Sequence, residues 1–97
     1  MVAYITLYKY TQQGAATIKD SPKRIQAVKA MTEKLGGRVI GVWLTMGQYD
    51  LVGIAEFPND EAAARMALEV GRLGNVTSQT LRAFSEDEFA SLVSQMS

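Results

Sequence analysis

The stretch GQYDLVGIAEF, residues 47–57, decides how this 97-residue chain is arranged. It opens with a Gly-x-Tyr-Asp turn, where Gly47 suits a backbone of positive φ, and it continues into a predicted strand at 50–57. A strand with one face in water alternates apolar and polar residues. This strand is apolar on both faces, and so is the strand before it, predicted at 39–46 with the sequence VIGVWLTM. The two strands predict a hairpin whose two faces are both covered.

On the N-terminal side of the hairpin, the chain predicts one strand and one helix. Residues 2–10 are rich in β-branched and aromatic side chains, which is typical of a strand, and residues 11–19 predict an irregular or short helical connection. Ser21 as N-cap and Pro22 at the first helical position begin the first main helix. The pair Gly36-Gly37 ends it.

On the C-terminal side, the pattern repeats and then adds a helix. Residues 58–60 begin a second main helix, residues 73–75 end it, and residues 76–84 predict the fourth strand. Ser85 and Glu88 have the spacing of a capping box. The last helix carries an apolar stripe at i, i+3, i+4 and i+7, formed by Phe89, Leu92, Val93 and Met96.

The element order βαββαβ, with a C-terminal helix, predicts an α+β ferredoxin-like fold in a single domain over residues 1–97. Its four-stranded antiparallel sheet carries both main helices on one face. An internal repeat supports this order, because KLGG at 34–37 and RLGN at 72–75 each join a helix to the next strand. The other face of the sheet would be too apolar for water, so we expect a second copy to cover it, as a homodimer or a larger homo-oligomer.

The composition argues against several classes of partner and cofactor. Lys plus Arg and Asp plus Glu balance at 10 each, which argues against nucleic acid and anionic membranes as partners. The chain has no cysteine and no histidine, so we expect no transition-metal site and no cofactor. No stretch approaches 18 consecutive apolar residues, and we expect a cytoplasmic, soluble protein.

Several short motifs resemble the GYD-domain family, which is named after the Gly-x-Tyr-Asp turn. They are Tyr4, Thr11-x-x-Gly14, the run IKDSP at 18–22, KLGG at 34–37, Gly47-x-Tyr49-Asp50, Gly74-Asn75-Val76 and Thr80-x-Arg82-Ala83-Phe84. The resemblance covers nearly the whole chain and implies a dimeric α/β barrel of largely uncharacterised function. The second half alone is also similar to the ligand-binding domain of leucine-responsive, feast/famine regulators, which bind amino acids at subunit interfaces. No helix-turn-helix module accompanies it.

The first candidate ligand site consists of amphipathic residues of three strands. They are Tyr4, Thr6, Tyr8, Trp43, Thr45, Thr80 and Arg82. If they share the face that lines the barrel, they form an aromatic pocket with a few hydroxyls and one guanidinium. The alternative is that the aromatic residues pack a dimer interface. Parity along the strands does not decide which face meets the helices.

Two further groups are candidates. Tyr49 and Asp50 could orient a ligand, although the alternative is that Asp50 caps the hairpin through backbone hydrogen bonds. Lys19, Lys23 and Arg24 cluster around the start of the first main helix and predict a weak anion site, with a solvated helix start as the alternative.

Three functions follow as alternatives. The first is a homo-oligomeric small-molecule binding or sensing module that uses the dimer barrel or a subunit interface. The second is a cofactor-free enzyme, an isomerase or a monooxygenase, as the dimeric α/β-barrel resemblance implies. The third is a structural interaction module without a ligand.

Overall fold

A computed structural model describes all 97 residues and contains one four-stranded antiparallel sheet. The strands are β1 (Val2–Tyr10), β2 (Arg38–Leu44), β3 (Leu51–Phe57) and β4 (Val76–Ala83). They lie in the order β2-β3-β1-β4, so β1 and β3 are central and β2 and β4 are edges. This is the ferredoxin-like order, and the predicted fold class is confirmed.

Four helices connect and follow the strands: α1 (Gln12–Ala16), α2 (Ser21–Lys34), α3 (Asp60–Gly71) and α4 (Glu86–Ser94). A short 3₁₀ turn, Ile18–Asp20, joins α1 to α2. The two long helices α2 and α3 pack on one face of the sheet, which we call the covered face. No helix combines the length and the hydropathy that crossing a bilayer requires.

Most helix ends follow the signals in the sequence. Asn59 caps α3 through its side chain, which accepts a hydrogen bond from the Ala62 N–H at 2.9 Å. Ser85 and Glu88 form the predicted capping box of α4. Gly36 and Gly74 adopt φ values of 83° and 79° after α2 and α3, a region open to glycine without strain.

Two turn predictions were wrong. Asp20, not Ser21, occupies the N-cap position of α2, and the Ser21 hydroxyl instead lies 2.6 Å from the Tyr10 hydroxyl. A tertiary hydrogen bond therefore replaces the local cap. Gly47 does not have positive φ, because the hairpin is closed by a longer loop in which the Thr45 N–H donates to the Asp50 carbonyl at 2.8 Å.

A register shift in β2 explains part of its doubly apolar character. Val39 pairs with Ala55 and Gly41 pairs with Ile54, so Ile40 is an extra residue between them. Such a bulge reverses the side-chain alternation on one side of the shift. Val39 and Val42 consequently both face the helices, whereas strict alternation places them on opposite faces.

The core of the covered face is small. Tyr4 and Phe57 from the sheet contact Ala63 and Met66 from α3, and the two rings meet edge to face with centroids 5.8 Å apart. The Tyr4 hydroxyl donates a hydrogen bond to the Asp60 carboxylate at the start of α3. Only 8 of the 97 residues are buried, so the isolated chain leaves much of its apolar surface in contact with water.

The opposite side of the sheet, which we call the open face, has no helix over it. Cross-strand pairing places six apolar residues there: Ile5, Leu7, Trp43, Val52, Ile54 and Leu81. Every residue of α4 is exposed as well, including Phe89, Leu92 and Val93 of the predicted stripe, and Met96, which follows the end of the helix, is also exposed. The 52 × 31 × 18 Å extents describe an elongated molecule. The covered face therefore forms the core, and the open face and α4 carry uncovered apolar surface.

Candidate functional site

A cavity of about 150 Å³ lies between the covered face and the two long helices. We call it the main cavity. Its lining is mostly apolar, and the side chains that close it come from α2, α3 and the sheet. These include Ile25, Val28, Met31, Met66, Val70 and Leu51. Leu73, which is largely exposed, lies in the same lining and marks the mouth of the cavity.

A second, smaller cavity of about 40 Å³ adjoins the first and is called the minor cavity. Five residues line both cavities, namely Tyr8, Val28, Val42, Met66 and Val70. Four hydroxyl side chains from the sheet, Tyr4, Thr6, Ser78 and Thr80, line the minor cavity alone. The sheet therefore supplies more hydroxyl groups to the minor cavity than to the main one.

Tyr8 is the polar residue that both cavities share. Its phenol stands above Gly53, where an added Cβ would lie 3.5 Å from the Tyr8 ring. Burial raises the pKa of Tyr8, and the Thr6 hydroxyl, as a hydrogen-bond donor to the phenol oxygen, acts in the opposite direction. Tyr8 therefore stays protonated in neutral solution.

Tyr10, Ser21, Arg24 and Glu69, which also line the main cavity, each contact another group of the chain. The Tyr10 and Ser21 hydroxyls lie 2.6 Å apart. Arg24 donates to the Thr17 carbonyl at 3.2 Å and to the Gly14 carbonyl at 3.4 Å. Glu69 lies 3.7 Å from Arg72, one turn along α3. The arrangement favours binding of an apolar molecule, since the charged groups of the lining already have partners.

The structure brings five of the seven residues of the first candidate site to the covered face. They are Tyr4, Thr6, Tyr8, Thr80 and Arg82, which are paired across β1 and β4. Burial, followed by the hydrogen bond to Asp60, raises the pKa of Tyr4 to about 12. The Arg82 guanidinium carbon lies 4.1 Å from the centroid of the Phe84 ring. The Arg82 Nη2 atom lies 3.7 Å from the Glu88 Oε2 atom. Arg82 thus connects the sheet to α4 and does not line either cavity.

Trp43 and Thr45 are separated from that group. Trp43 pairs with Val52 and belongs to the open face, where its half-exposed ring lies over Gly41 so closely that an added Cβ would be 2.6 Å away. The Thr45 hydroxyl donates to the Tyr49 carbonyl at 2.6 Å inside the hairpin loop. The predicted common pocket is therefore divided between two sides of the sheet.

Tyr49 and Asp50 also point in different directions. The Tyr49 hydroxyl donates to the Gln79 side chain at 2.9 Å, and the Lys9 ammonium lies 5.6 Å from the centre of its ring. The Asp50 carboxylate accepts a hydrogen bond from the Tyr10 N–H at 2.9 Å. This contact with the backbone of β1 matches the structural alternative for Asp50.

The three cations near α2 do not form one cluster of free charges. Lys19 and Lys23 are exposed, and nothing in the chain draws them together. The Arg24 guanidinium instead binds the end of α1 through Thr17 and Gly14. An anion at this place would have to compete with those carbonyl and hydroxyl acceptors.

Sequence reasoning did not find the main cavity. Its walls come from residues that the helical periodicity of α2 and α3 assigns to an ordinary core, such as Val28 and Val70. Tyr10 and Ser21 were missed for a different reason, because a tyrosine at a strand end and a serine at a helix start each have a sufficient local explanation. A weak signal for the cavity was present in the number of hydroxyl-bearing side chains on β1. Burying a hydroxyl in a dry core costs free energy unless it is hydrogen-bonded.

Comparison with known proteins gives one similar protein of described binding behaviour. The chain is 33% identical over 84 residues to the glutamine synthetase and cystathionine beta-lyase binding protein of Thermus thermophilus. The aligned region covers 86% of this chain and 88% of that protein.

Solved structures with the same fold are more distant in sequence. The crystal structure of FFRP-DM1 aligns with a TM-score of 0.63 at 17% identity, covering 87% of this chain and all of that one. A hypothetical protein from Pyrococcus horikoshii, PHS023, aligns with a TM-score of 0.62 at 18% identity, covering 89% and 93%. TTHA0845 from Thermus thermophilus aligns with a TM-score of 0.56 at 23% identity, covering 88% and 95%. At these identities the likeness concerns the fold alone.

The family is settled by the sequence profile of the GYD domain, which matches residues 4–93. The match begins at Tyr4 in the first strand and ends in α4, so it includes the turn at 47–50 and the joints after both long helices. The chain belongs to the GYD-domain family.

Proposed function

We propose that this protein is a homodimeric small-molecule binding module whose ligand enters the main cavity. The observation that carries the proposal is a mostly apolar space of about 150 Å³ between α2, α3 and the sheet. The space opens to solvent beside Leu73, and a concave, mostly apolar pocket with a few polar groups is the usual place for a small ligand. Binding is preferred over catalysis because Glu69, the one carboxylate of the lining, lies 3.7 Å from Arg72.

The proposal moves the ligand from the barrel lumen to the space beneath the helices. The aromatic and hydroxyl residues of β1 support this location, since Tyr8 and Tyr10 line the main cavity and Thr6 lines the minor one. Trp43 then belongs to the surface between subunits. The absence of cysteine fits the cytoplasmic location that we expect.

The second part of the proposal is that the open face is the dimer interface. The chain exposes 6720 Å², whereas a folded monomer of 10.6 kDa exposes about 5,500 Å². The excess is roughly 1,200 Å², and each partner in a standard interface gives up about 800 Å². A second copy seated on this face would cover about two-thirds of the excess.

The residues around the open face have the distribution of an interface. Ile5, Val52 and Ile54 lie on the central strands, and polar groups such as Lys9 and the Arg38–Glu56 pair surround them. Interfaces are typically apolar at the centre and polar at the rim. The α4 stripe continues the apolar surface beyond the sheet, which favours contact of α4 with the partner as well.

A second candidate function is protein binding. The relative from Thermus thermophilus is named for binding two enzymes, glutamine synthetase and cystathionine beta-lyase. In this chain we assign that role to α4 and the residues that follow it, where Phe89 and Met96 are largely exposed. If the dimer leaves that stripe uncovered, it is the part of the molecule with which a partner enzyme would make contact.

The test for the ligand site is a titration with toluene, followed by amide chemical shifts in ¹⁵N-labelled protein. We expect saturable shifts at residues that line the main cavity, such as Val28 and Val70. Val70→Phe should abolish them, since the larger ring fills the space. Leu68→Phe is the matched control, because Leu68 lies on the same helix but is 73% exposed and outside the lining. Equal shifts in both variants would contradict the proposal.

A further inference from the structure

We propose that the main cavity takes a neutral, single-ring molecule carrying a hydrogen-bond acceptor, which the Tyr8 hydroxyl anchors. This inference rests on the proposed function, because it describes the ligand of the same cavity. Three properties of the lining carry it, namely its volume, the state of its charged groups and the unequal use of its tyrosine hydroxyls.

The volume limits the ligand to about one ring. A dry protein cavity of about 150 Å³ lined by aliphatic and aromatic side chains accepts benzene. The main cavity has the same volume and a similar lining. A larger ligand would have to project through the mouth beside Leu73, where its remainder would meet water. The buried part of the ligand is therefore a single ring with a small substituent.

The charged groups of the lining favour a neutral ligand. Arg24 directs one guanidinium nitrogen at the Thr17 carbonyl and hydroxyl and the other at the Gly14 carbonyl. Glu69 lies beside Arg72. A ligand carboxylate would have to compete with the Thr17 and Gly14 oxygens for the Arg24 guanidinium, and a ligand ammonium would have to compete with Arg72 for Glu69. Either ion would also lose its hydration in a mostly apolar space, and such a transfer is costly. Charged single-ring molecules should therefore bind much more weakly than neutral ones.

The three tyrosines of the covered face differ in where their protons go. Tyr4 donates to Asp60, and Tyr10 shares a hydrogen bond with Ser21. The Tyr8 hydroxyl has no comparable short contact with an acceptor, because its polar neighbour is the Thr6 hydroxyl, which can either donate or accept. The Tyr8 proton is therefore the least committed of the three and can turn to an acceptor on the ligand. Tyr8 lines both cavities, so its side chain meets a ligand in the main cavity.

The experiment compares three probes, toluene, acetophenone and benzoate, in amide chemical-shift titrations of the full chain. The variants are wild type, Tyr8→Phe and the matched control Tyr49→Phe, which removes a tyrosine hydroxyl that binds Gln79 outside both cavities. In wild type we expect acetophenone to bind about 5–10-fold more tightly than toluene, the gain that one neutral hydrogen bond brings, and benzoate to bind at least about tenfold more weakly than acetophenone. Tyr8→Phe should bring acetophenone to the affinity of toluene, and Tyr49→Phe should preserve the difference.

The outcomes separate the two proposals. Toluene binding retained in Tyr8→Phe, together with dispersed amide spectra, would show that the fold and cavity are intact, so that a lost acetophenone preference reports on the hydroxyl. Equal affinities of toluene and acetophenone in wild type, or tightest binding by benzoate, would overturn the inference and leave the ligand site standing. An unchanged preference in Tyr8→Phe would also overturn it, because a group other than the Tyr8 hydroxyl would then donate to acetophenone. Failure of every probe to bind would overturn both.

Discussion

The two faces of the sheet differ in what covers their side chains and in how those side chains are hydrogen-bonded. On the covered face, Tyr4 and Tyr10 hydrogen-bond to Asp60 and Ser21, and a space of about 150 Å³ remains beneath the helices. On the open face, the central residues are apolar and have nothing over them. The chain by itself therefore completes one side of its sheet, and the other side carries the apolar surface that the proposed second copy would cover.

The largest expected effect comes from a charge at the centre of the open face. Val52 pairs with Leu7 on one side and Trp43 on the other, so Val52→Lys would bury an unpaired ammonium in the dimer. We expect the dissociation constant to rise by at least about 100-fold, because an uncompensated buried charge costs about 3–5 kcal/mol. Analytical ultracentrifugation across dilution measures this, and circular dichroism checks that the monomer keeps its fold.

The matched control for that variant is Leu68→Lys on the outer side of α3, where the leucine is already largely exposed. It should leave the dimer unchanged. A Val52→Lys dimer as tight as wild type would assign the interface to α4 or to another surface. An unfolded Val52→Lys chain would mean that the open face is needed for the monomer itself, and the contrast between the two faces would fail.

The second-largest effect is expected where α1 packs against the backbone of Asn75. A Cβ added to Gly14 in α1 would lie 1.9 Å from the Asn75 carbonyl oxygen, which already accepts a hydrogen bond from the Thr11 N–H at 3.1 Å. Gly14→Ala should therefore destabilise the fold by about 1–3 kcal/mol, the usual range for overpacking. Gly47→Ala is the control, since nothing lies within 4 Å of its added Cβ and its φ is not positive.

Urea unfolding of both glycine variants gives the comparison. Gly47→Ala should stay within about 0.5 kcal/mol of wild type, as surface substitutions usually do. Equal losses in the two variants would mean that the Gly-x-Tyr-Asp turn is as tightly packed as the α1 joint. The close approach at Gly14 would then not distinguish the covered side.

A smaller effect is expected at the Tyr4 hydroxyl. Tyr4→Phe removes its hydrogen bond to Asp60 and should cost about 1 kcal/mol, because the exposed Asp60 carboxylate can bind water instead. The pKa of Tyr4 is raised in the folded state to about 12 from 10.0. Ionisation is thus easier in the unfolded chain, and the stabilising contribution is fully present below pH 10 and is lost as the pH rises from 10 towards 12.

The measurement is urea unfolding at several pH values between about 9 and about 11.5, which bracket the ionisation of an unfolded tyrosine. Wild type should lose stability with rising pH more steeply than Tyr4→Phe. The raised pKa of Tyr8 acts in the same direction in both proteins, so the difference between their slopes isolates Tyr4. Parallel slopes would mean that Tyr4 ionises as freely in the folded chain as in the unfolded one.

Much of the fold could be predicted from the sequence because the signals are local. Asn59 at a helix start, Gly36 and Gly74 at helix ends and the Ser85–Glu88 box act within a few residues of themselves, and each has its predicted role. Ser21 failed as a cap because a residue of a distant strand, Tyr10, competes for its hydroxyl. A serine at this position can cap the helix or hydrogen-bond to a residue of another element, and the tertiary structure determines which of the two forms.

The candidate site was harder to predict because it depends on faces and volumes. Alternation along β1 groups Tyr4, Thr6 and Tyr8 correctly, but it does not say that this group faces the helices. The bulge at Ile40 then defeats simple alternation in β2, and Trp43 lies on the opposite side of the sheet from the residues with which it was grouped. The cavity forms because the apolar side chains of α2, α3 and the sheet do not fill the space between them. Helical periodicity shows which residues face the sheet but not how completely they fill that space.

The smallest expected effect marks the boundary between the open face and its rim. The Arg38 Nε and Glu56 Oε1 atoms lie 2.6 Å apart across β2 and β3, with 66% and 26% of the two side chains exposed. A double-mutant cycle of Arg38→Gln and Glu56→Gln in the Val52→Lys monomer should give a coupling energy of about 0.2–1 kcal/mol. It should fall as salt rises to about 1 M, where the screening length shrinks to about 3 Å. The same cycle in the wild-type dimer should give a similar value if the pair remains on the wet rim. A coupling well above that range, insensitive to salt, would instead show the pair desolvated by the partner. The covered area would then extend over the edge strand β2, and the contrast between an apolar centre and a polar rim would have to be redrawn there.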